Sequence, residues 1–376
     1  MKRKKKLLVF NPALAPYRID QFNKLSEIFD VKVFFLNENV PNQKFDQDFL
    51  KKQLKCDFGF LVKGFNVKGR FFRTGIKKEI LQFRPDLIMG YEYSLITIYL
   101  LWLNKHTKIN AQMISMVDDS LDICRMPQSK VRKWLRSWCL KRLDYLVLLS
   151  SEVGDWYISQ KNILRKKIIV NPIVYNPDRF IQDRPKLLTL AKSYIHKYML
   201  SNRKVLLFVG RIAKEKGLGY LLNIMPALIL KDRSIILIIV GEGAETNTLL
   251  EIINKKALHE YVLMPGRFEK LELYAWYLTA NAFILPSIDE PFGAVVNESL
   301  IFGTPVICSQ HAGAASLIIE GENGIVVDPK NEKTFTKDVI SFVEQKSSLL
   351  MTLMQEKQNL MPHDFDYYFL DWYKIA

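Results

Sequence analysis

The chain has 376 residues, 49% of them apolar, and a net charge of +15. That length suits two domains of ordinary size, each able to bury its own core, and it excludes a small scaffold that needs disulfide or metal staples. Cys56, Cys124, Cys139 and Cys308 are scattered without metal-ligand spacing, so a reducing cytosol is their simplest home.

The longest apolar run, "LITIYLLWL" at 95–103, falls far short of the roughly 18–20 residues that span a bilayer. The opening "MKRKKKLLVFNPALAP" has too few apolar residues for a signal segment. A soluble or peripheral cytoplasmic protein is expected. The charge is uneven: residues 1–200 carry 37 Lys+Arg against 18 Asp+Glu, and residues 201–376 carry 17 against 21. The first half, at +19, would face something anionic such as nucleic acid, phospholipid headgroups or a phosphorylated acceptor. A merely soluble basic surface would give the same imbalance.

In chain order, strands are predicted at 6–10, 31–36, 86–90, 111–117, 145–150 and 167–171, then at 204–210, 235–241, 261–266, 281–287, 305–309 and 324–328. Helical patterns lie between most of them. Continuous apolar strands alternating with helices imply parallel sheets covered on both faces, hence two doubly wound α/β halves facing across a cleft. The seam is expected at "NPIVYNPDRF", 171–180, where two prolines and polar residues break both periodicities. The expected domains are 1–175 and 203–358, with a connector at 176–202. A C-terminal segment, 359–376, is expected to pack back on the first domain.

The candidate site residues of the second half follow its strands. Gly210 permits a tight exit from the strand at 204–210, and Arg211 and Lys216 come next in "GRIAKEKG". A glycine loop entering a helix suits a phosphate, and Arg and Lys add charge to the free amides. Gly241 in "VGEGAE" and Gly266 and Arg267 in "MPGRF" would allow a ligand close to backbone. Taken singly, each fits an ordinary turn as well. In "PSIDEPFGAVVNESLIFGTPVI" a helix is predicted to start near Phe292 or Gly293 and to end at Gly303, before Pro305. Glu290 lies in the loop before it, and Glu298 about a turn and a half inside. At ~1.5 Å per residue the two carboxylates would lie about 10 Å apart, which suits two ends of one ligand. A helix-start charge and an exposed helical acid would satisfy the same text.

Together "FVGRIAKEKG", "IIVGEG", "VLMPGRF" and the segment from "PSIDEPFGAVVNESLIFGTPVI" to "GENGIVVDP" resemble the retaining glycosyltransferases of family 4, which have the GT-B fold. The likeness covers about residues 204–330 and includes the E-x7-E signature. It implies that Arg211 and Lys216 bind the donor diphosphate and that Glu290 holds hydroxyls of the donor sugar. Phe292, Gly293 and Ala294 would offer amides, Glu298 would hold the ribose, and Gly266 and Arg267 would lie near the base. The donor would be a UDP- or GDP-sugar.

The first half departs from that family. Its first strand leads into "NPALAPYR", where Tyr17 and Arg18 would face a phosphate or acceptor, in place of a glycine-rich loop. "SMVDDSLD" offers Asp118 and Asp119 where many members have His. Either could orient an acceptor hydroxyl or take its proton, and both could equally be turn or helix-start residues.

By the same resemblance the reaction is a same-face displacement with retention, with Glu290, Arg211, Lys216 and Asp118 or Asp119 as the catalytic candidates. No metal or other cofactor is expected, because fixed cations and a helix N-terminus can take the developing charge. The acceptor would be a glycan or a polyprenyl-diphosphate-linked glycan. The basic, Phe-rich stretch 51–78 and the basic amphipathic helix predicted at 129–143 could meet an anionic membrane face. The latter could equally pack on its own sheet. No nucleic-acid motif is present. Other activities on such a fold are sugar-nucleotide epimerisation, phosphorolysis and non-catalytic carbohydrate binding. A dehydrogenase is disfavoured because neither half's first strand is followed by G-x-G-x-x-G.

Overall fold

A computed structural model describes residues 3–39, 45–67, 70–107, 109–344 and 356–376. Lys68 and Gly69 of the basic stretch, and 345–355 of the expected second domain, lie outside the described residues. The chain divides into two compact units, Met1–Tyr175 with Phe365–Ala376, and Asn176–Asp364.

The first unit contains β1 (Lys6–Asn11), β2 (Asp30–Phe35), β3 (Asp57–Phe60), β4 (Gly64–Val67), β5 (Arg70–Arg73), β6 (Leu87–Tyr91), β7 (Gln112–Val117), β8 (Tyr145–Leu148) and β9 (Ile168–Val170). Seven of these form a parallel sheet in the order β3-β2-β1-β6-β7-β8-β9, and β4 and β5 pair separately as an antiparallel hairpin. All six strands expected here are present, and β3 and the hairpin are additions. They fall within the basic stretch 51–78, where the spacing of charges hides the strand pattern.

The segment after Asp364 returns to this unit. Trp372 is buried and donates through Nε1 to Asn171 Oδ1 at 3.1 Å, and Asn171 Nδ2 donates to the Tyr368 carbonyl at 3.0 Å.

The second unit contains β10 (Lys204–Val209), β11 (Ile235–Val240), β12 (Val262–Gly266), β13 (Ala282–Leu285), β14 (Val306–Ser309) and β15 (Gly324–Val327). They form a parallel sheet in the order β12-β11-β10-β13-β14-β15. Every residue of β11, "IILIIV", is buried, as a strand covered on both faces requires. Residues 176–202, expected as a connector, lie within this unit. Their helix Arg184–Lys197 packs on the helix Lys270–Thr279, with Tyr194 stacked on Trp276 at 4.5 Å between ring centroids.

One buried cation ties the end of this unit to its core. Lys357 donates through Nζ to Thr304 Oγ1 at 2.7 Å, to the Tyr277 carbonyl at 3.2 Å and to the Ala280 carbonyl. Burial, with Arg184 nearby, pulls its pKa below the usual lysine range. Three acceptors depend on this one ammonium. Lys357→Met is therefore expected to cost about 2–4 kcal/mol of stability, read as a lower urea midpoint with an unchanged slope.

Candidate functional site

In an open parallel sheet, ligands bind beyond the carboxyl ends of the strands where the strand order reverses. In the second sheet that point lies between β10 and β13. The loops that leave these two strands carry most of the candidate residues.

After β10, the Gly210 amide donates to the Val240 carbonyl at 3.0 Å. Arg211 is exposed and pairs with Glu215 at 3.1 Å. Lys216 closes a single 3-10 turn, and Gly217, at φ +68°, starts the helix Leu218–Lys231. A Cβ at Gly217 would lie 2.0 Å from the Pro286 carbonyl oxygen, so only glycine lets the β10 loop lie this close to the exit of β13. The Ile288 amide then donates to the Glu215 carbonyl at 2.8 Å. This lacing brings the Lys216 ammonium onto the Glu290 carboxylate, with the side chains only 15% and 12% exposed.

Glu290 is held from a second side. Its amide donates to the His311 carbonyl and its own carbonyl accepts from the Gly313 amide, both at 3.2 Å. The buried Phe292 accepts from the Ala314 amide at 2.7 Å. Gly293, at φ +95°, caps the helix Ala294–Ile301, within a residue or two of its expected start and end. The first-turn amides of a helix have no intrahelical partner and carry partial positive charge. Lys216, Glu290, Gly293 and Ala294 thus fall together at this edge. Glu298 lies inside the same helix, buried, and accepts from the Tyr277 hydroxyl at 2.7 Å.

The loops after β11 and β12 join the same edge of the sheet. The Gly241 amide donates to the Gly266 carbonyl at 2.9 Å, and the Ile212 amide to the Glu242 carbonyl at 2.9 Å. Arg267 pairs with Glu242 at 3.2 Å and with Glu269. Arg211 and Arg267 are therefore braced by local acids, whereas Lys216 is braced by Glu290 itself.

The first sheet reverses its order between β1 and β6, and a second polar cluster sits at its carboxyl edge. Arg18 is buried and donates through Nη2 to both oxygens of Asp118 at 2.8 and 2.7 Å, and the Tyr91 hydroxyl donates to Asp118 at 2.7 Å. Tyr17 lies half-buried beside Arg18, its ring centre 5.8 Å from the guanidinium carbon. Asp119 points into a different net. It is buried, takes both terminal nitrogens of Arg136 at 3.2 Å and accepts from the Tyr157 hydroxyl at 2.7 Å. The adjacent aspartates expected as interchangeable candidates thus differ in access, and Asp119 has the anchoring geometry.

Glu92, half-buried between them, is a residue the sequence reading passed over. Its φ of +55° is unusual for a residue with a side chain. Three hydrogen bonds hold it there: its amide to the Met116 carbonyl at 2.7 Å, the Ser115 hydroxyl to its carbonyl at 2.7 Å, and the Asp118 amide to its Oε1 at 3.0 Å. Such strain persists where surrounding contacts over-determine it, and it clusters at functional sites. Burial pushes its carboxyl up to about 7, with Asp118 and Asp119 adding to the rise and the Asp118 amide and Arg136 opposing it.

With this geometry in hand, residues 195–359 match the model of "Glycosyl transferases group 1". Over these residues the chain is similar to the group 1 glycosyl transferases. An uncharacterized glycosyltransferase of Methanocaldococcus jannaschii is 35% identical over 130 residues, covering 35% of this chain and 33% of the relative. Glycogen synthase of Mycobacterium tuberculosis is 30% identical over 235 residues, covering 62% of this chain and 53% of that protein. The chain thus aligns with about a third to a half of the length of these curated relatives. The structure of the Anabaena protein HepE in complex with UDP is 15% identical with a TM-score of 0.71, covering 94% of this chain and 96% of that one. That likeness carries the fold, GT-B.

Within the matched residues, Tyr277 and Lys357 were also not foreseen. Tyr277 is 21 residues from Glu298 in sequence, and no local spacing announces the contact. The "GYEYS" text after β6 could have drawn attention to Glu92, as a polar cluster at the end of a buried strand. Its raised carboxyl has a stability consequence. A folded pKa near 7 above the ordinary value of 4.5 favours the native state below about pH 4.5, and that contribution is lost as pH rises to about 7. Glu92→Gln removes this dependence. The stability gap between variant and wild type should therefore shift in the variant's favour by up to about 3 kcal/mol from pH 4.5 to 8, measured by urea unfolding at each pH.

Proposed function

We propose that this chain moves a sugar from a UDP- or GDP-linked donor to a glycan or polyprenyl-diphosphate-linked glycan, with retention at the anomeric carbon. The observation that carries this is the meeting of Lys216 and Glu290 at the switch point of the second sheet, beside the open first turn of the helix Ala294–Ile301. An ammonium and helix amides suit a diphosphate, and a carboxylate within reach suits the hydroxyls of the attached sugar.

In this proposal Lys216 leaves Glu290 for the donor's diphosphate, and Arg211 swings from Glu215 to join it. Glu290 then turns to the sugar hydroxyls. Glu298, oriented by Tyr277, holds the ribose, and the backbone at Gly266 with Arg267 borders the base. The bond from the anomeric carbon to the phosphate oxygen breaks as the bond to the acceptor oxygen forms on the same face. The acceptor's proton passes to the departing diphosphate, whose charge falls on Lys216, Arg211 and the helix amides. Preorganised charge of this kind is usually the largest catalytic contribution. On the first unit, Tyr17, Arg18, Asp118 and Glu92 receive the acceptor, while Asp119 braces the cluster from beneath. The excess of positive charge in the first half favours a phosphorylated or lipid-linked acceptor, met at an anionic membrane face in the cytoplasm.

The test is a thermal-shift screen with UDP-, GDP-, ADP- and CMP-sugars. One base should raise the melting temperature. Glu298→Ala should weaken that donor about tenfold to a hundredfold, as expected for a lost charged hydrogen bond worth about 1.5–3 kcal/mol. No shift with any donor at saturation would contradict the proposal.

A further inference from the structure

The helix Lys270–Thr279 ends inside the core of the second unit, where water does not reach its last carbonyls. Tyr277, the third residue from that end, is fully buried. Its ring stacks on Phe302 at 6.0 Å between centroids and packs on Phe283 at 5.7 Å. Its hydroxyl is the group that donates to Glu298. Its backbone is fixed by a separate set of bonds. The Tyr277 carbonyl accepts from the Lys357 ammonium at 3.2 Å and from the Thr304 hydroxyl at 2.5 Å, and the Thr304 oxygen itself accepts from Lys357 at 2.7 Å. With the Ala280 carbonyl as third acceptor, Lys357 gives all its protons to the end of this helix. A cation there also answers the negative end of the helix dipole.

Lys357 is buried, and among the described residues no acid pairs with it. An ammonium kept from water without a counter-charge is costly, and an apolar residue would fill the space without that cost. What the ammonium adds is a fixed geometry for the last helical turn. The segment that bears it also grips the other side of the Tyr277–Glu298 contact. The Leu360 amide donates to the carbonyl of Leu300, which follows Glu298 on the helix Ala294–Ile301, at 2.8 Å. Asn323 Nδ2 holds the Leu360 carbonyl at 3.1 Å. The segment lies this close because Gly303, at φ +75°, has no Cβ; one there would stand 2.4 Å from the Gln358 carbonyl oxygen. One short stretch, 357–360, thus anchors both the donor and the acceptor of the Tyr277–Glu298 hydrogen bond.

We propose that Lys357 is a positioning residue of the donor site: through the last turn of the helix Lys270–Thr279 it aims the Tyr277 hydroxyl, and so sets the Glu298 carboxylate for the ribose hydroxyls of a nucleoside diphosphate. This role rests on Glu298 holding the ribose, as proposed above. A carboxylate takes two vicinal hydroxyls only while both of its oxygens face them. A displaced Glu298 still leaves Lys216, Arg211 and the helix amides to hold the diphosphate. Loss of Lys357 should therefore touch ribose recognition and spare the rest of the nucleotide.

The experiment is calorimetric titration of UDP and GDP, and of their 2′,3′-dideoxy forms, into the full chain. For the base that binds, wild type should prefer the ribose form about tenfold to a hundredfold, the value of a charged hydrogen bond. Tyr277→Phe and Lys357→Met should each cut that preference to about threefold or less, with the affinity of the dideoxy form unchanged. Circular dichroism checks that each variant is folded. Should Lys357→Met fail to fold, Thr304→Val removes the hydroxyl between the ammonium and the Tyr277 carbonyl, and it should lower the preference in the same sense. A ribose preference that Lys357→Met, or Thr304→Val in its place, retains in full overturns the role of Lys357 and leaves the donor site standing. Equal weakening of both forms overturns it too, because packing alone would do that. No ribose preference in wild type, or no binding of either nucleotide, overturns the reading of Glu298 and the role of Lys357 with it.

Discussion

An ammonium and a carboxylate held together by two loops are the point on which the second unit turns. Lys216 comes from the loop after β10 and Glu290 from the loop after β13, and neither is free to drift. Gly217 brings the first loop against Pro286, the Ile288 amide fixes it there, and the segment 311–314 grips the second loop from its other side. Removing either charge from water has a cost, which the pairing offsets only in part. A ligand with an anion for Lys216 and hydroxyls for Glu290 would satisfy both groups at once. The switch point places the pair where a parallel sheet leaves its strand ends open.

The first unit follows the same architectural rule with a different chemistry. Its switch point also gathers charged side chains, but Arg18 is paired with Asp118 and Arg136 with Asp119. Two of the three carboxylates are thereby neutralised by an arginine, Asp118 through one nitrogen of Arg18 and Asp119 through both terminal nitrogens of Arg136. Glu92 has no such pair among the described residues, and its backbone is held in a left-handed conformation by β7 and the residue following it. The contrast marks Glu92 as the acid of the cluster that no arginine grips among the described residues.

Much of this was legible in the sequence because burial on both faces leaves a plain signal. Strands such as "KVLLFV" and "IILIIV" stand out as continuous apolar runs, and Gly293 and Gly303 mark the limits of the helix that carries Glu298. The hairpin β4–β5 was not legible, since in "GFNVKGRFFR" glycines and charges keep each apolar run to one or two residues. The amphipathic pattern at 129–143 did not say which of its apolar residues meet the core. Val131 and Trp134 are exposed, and Cys139 and Leu140 are buried. Periodicity reports that a stripe exists, and only packing decides which part of it meets the core. Contacts between distant residues, such as Tyr277 with Glu298 or Glu92 with the Asp118 amide, depend on strand order and have no local trace.

The central claim is that Glu290 holds Lys216 ready for a diphosphate and competes with it until the sugar arrives. Calorimetric titration of UDP and GDP, and of their sugar conjugates, into wild type and Glu290→Gln tests this directly. The account predicts that the variant binds the preferred diphosphate at least as tightly as wild type, because Lys216 has lost its competitor, while the added affinity due to the sugar largely disappears. Weaker diphosphate binding by the variant, with the sugar's contribution intact, would contradict it.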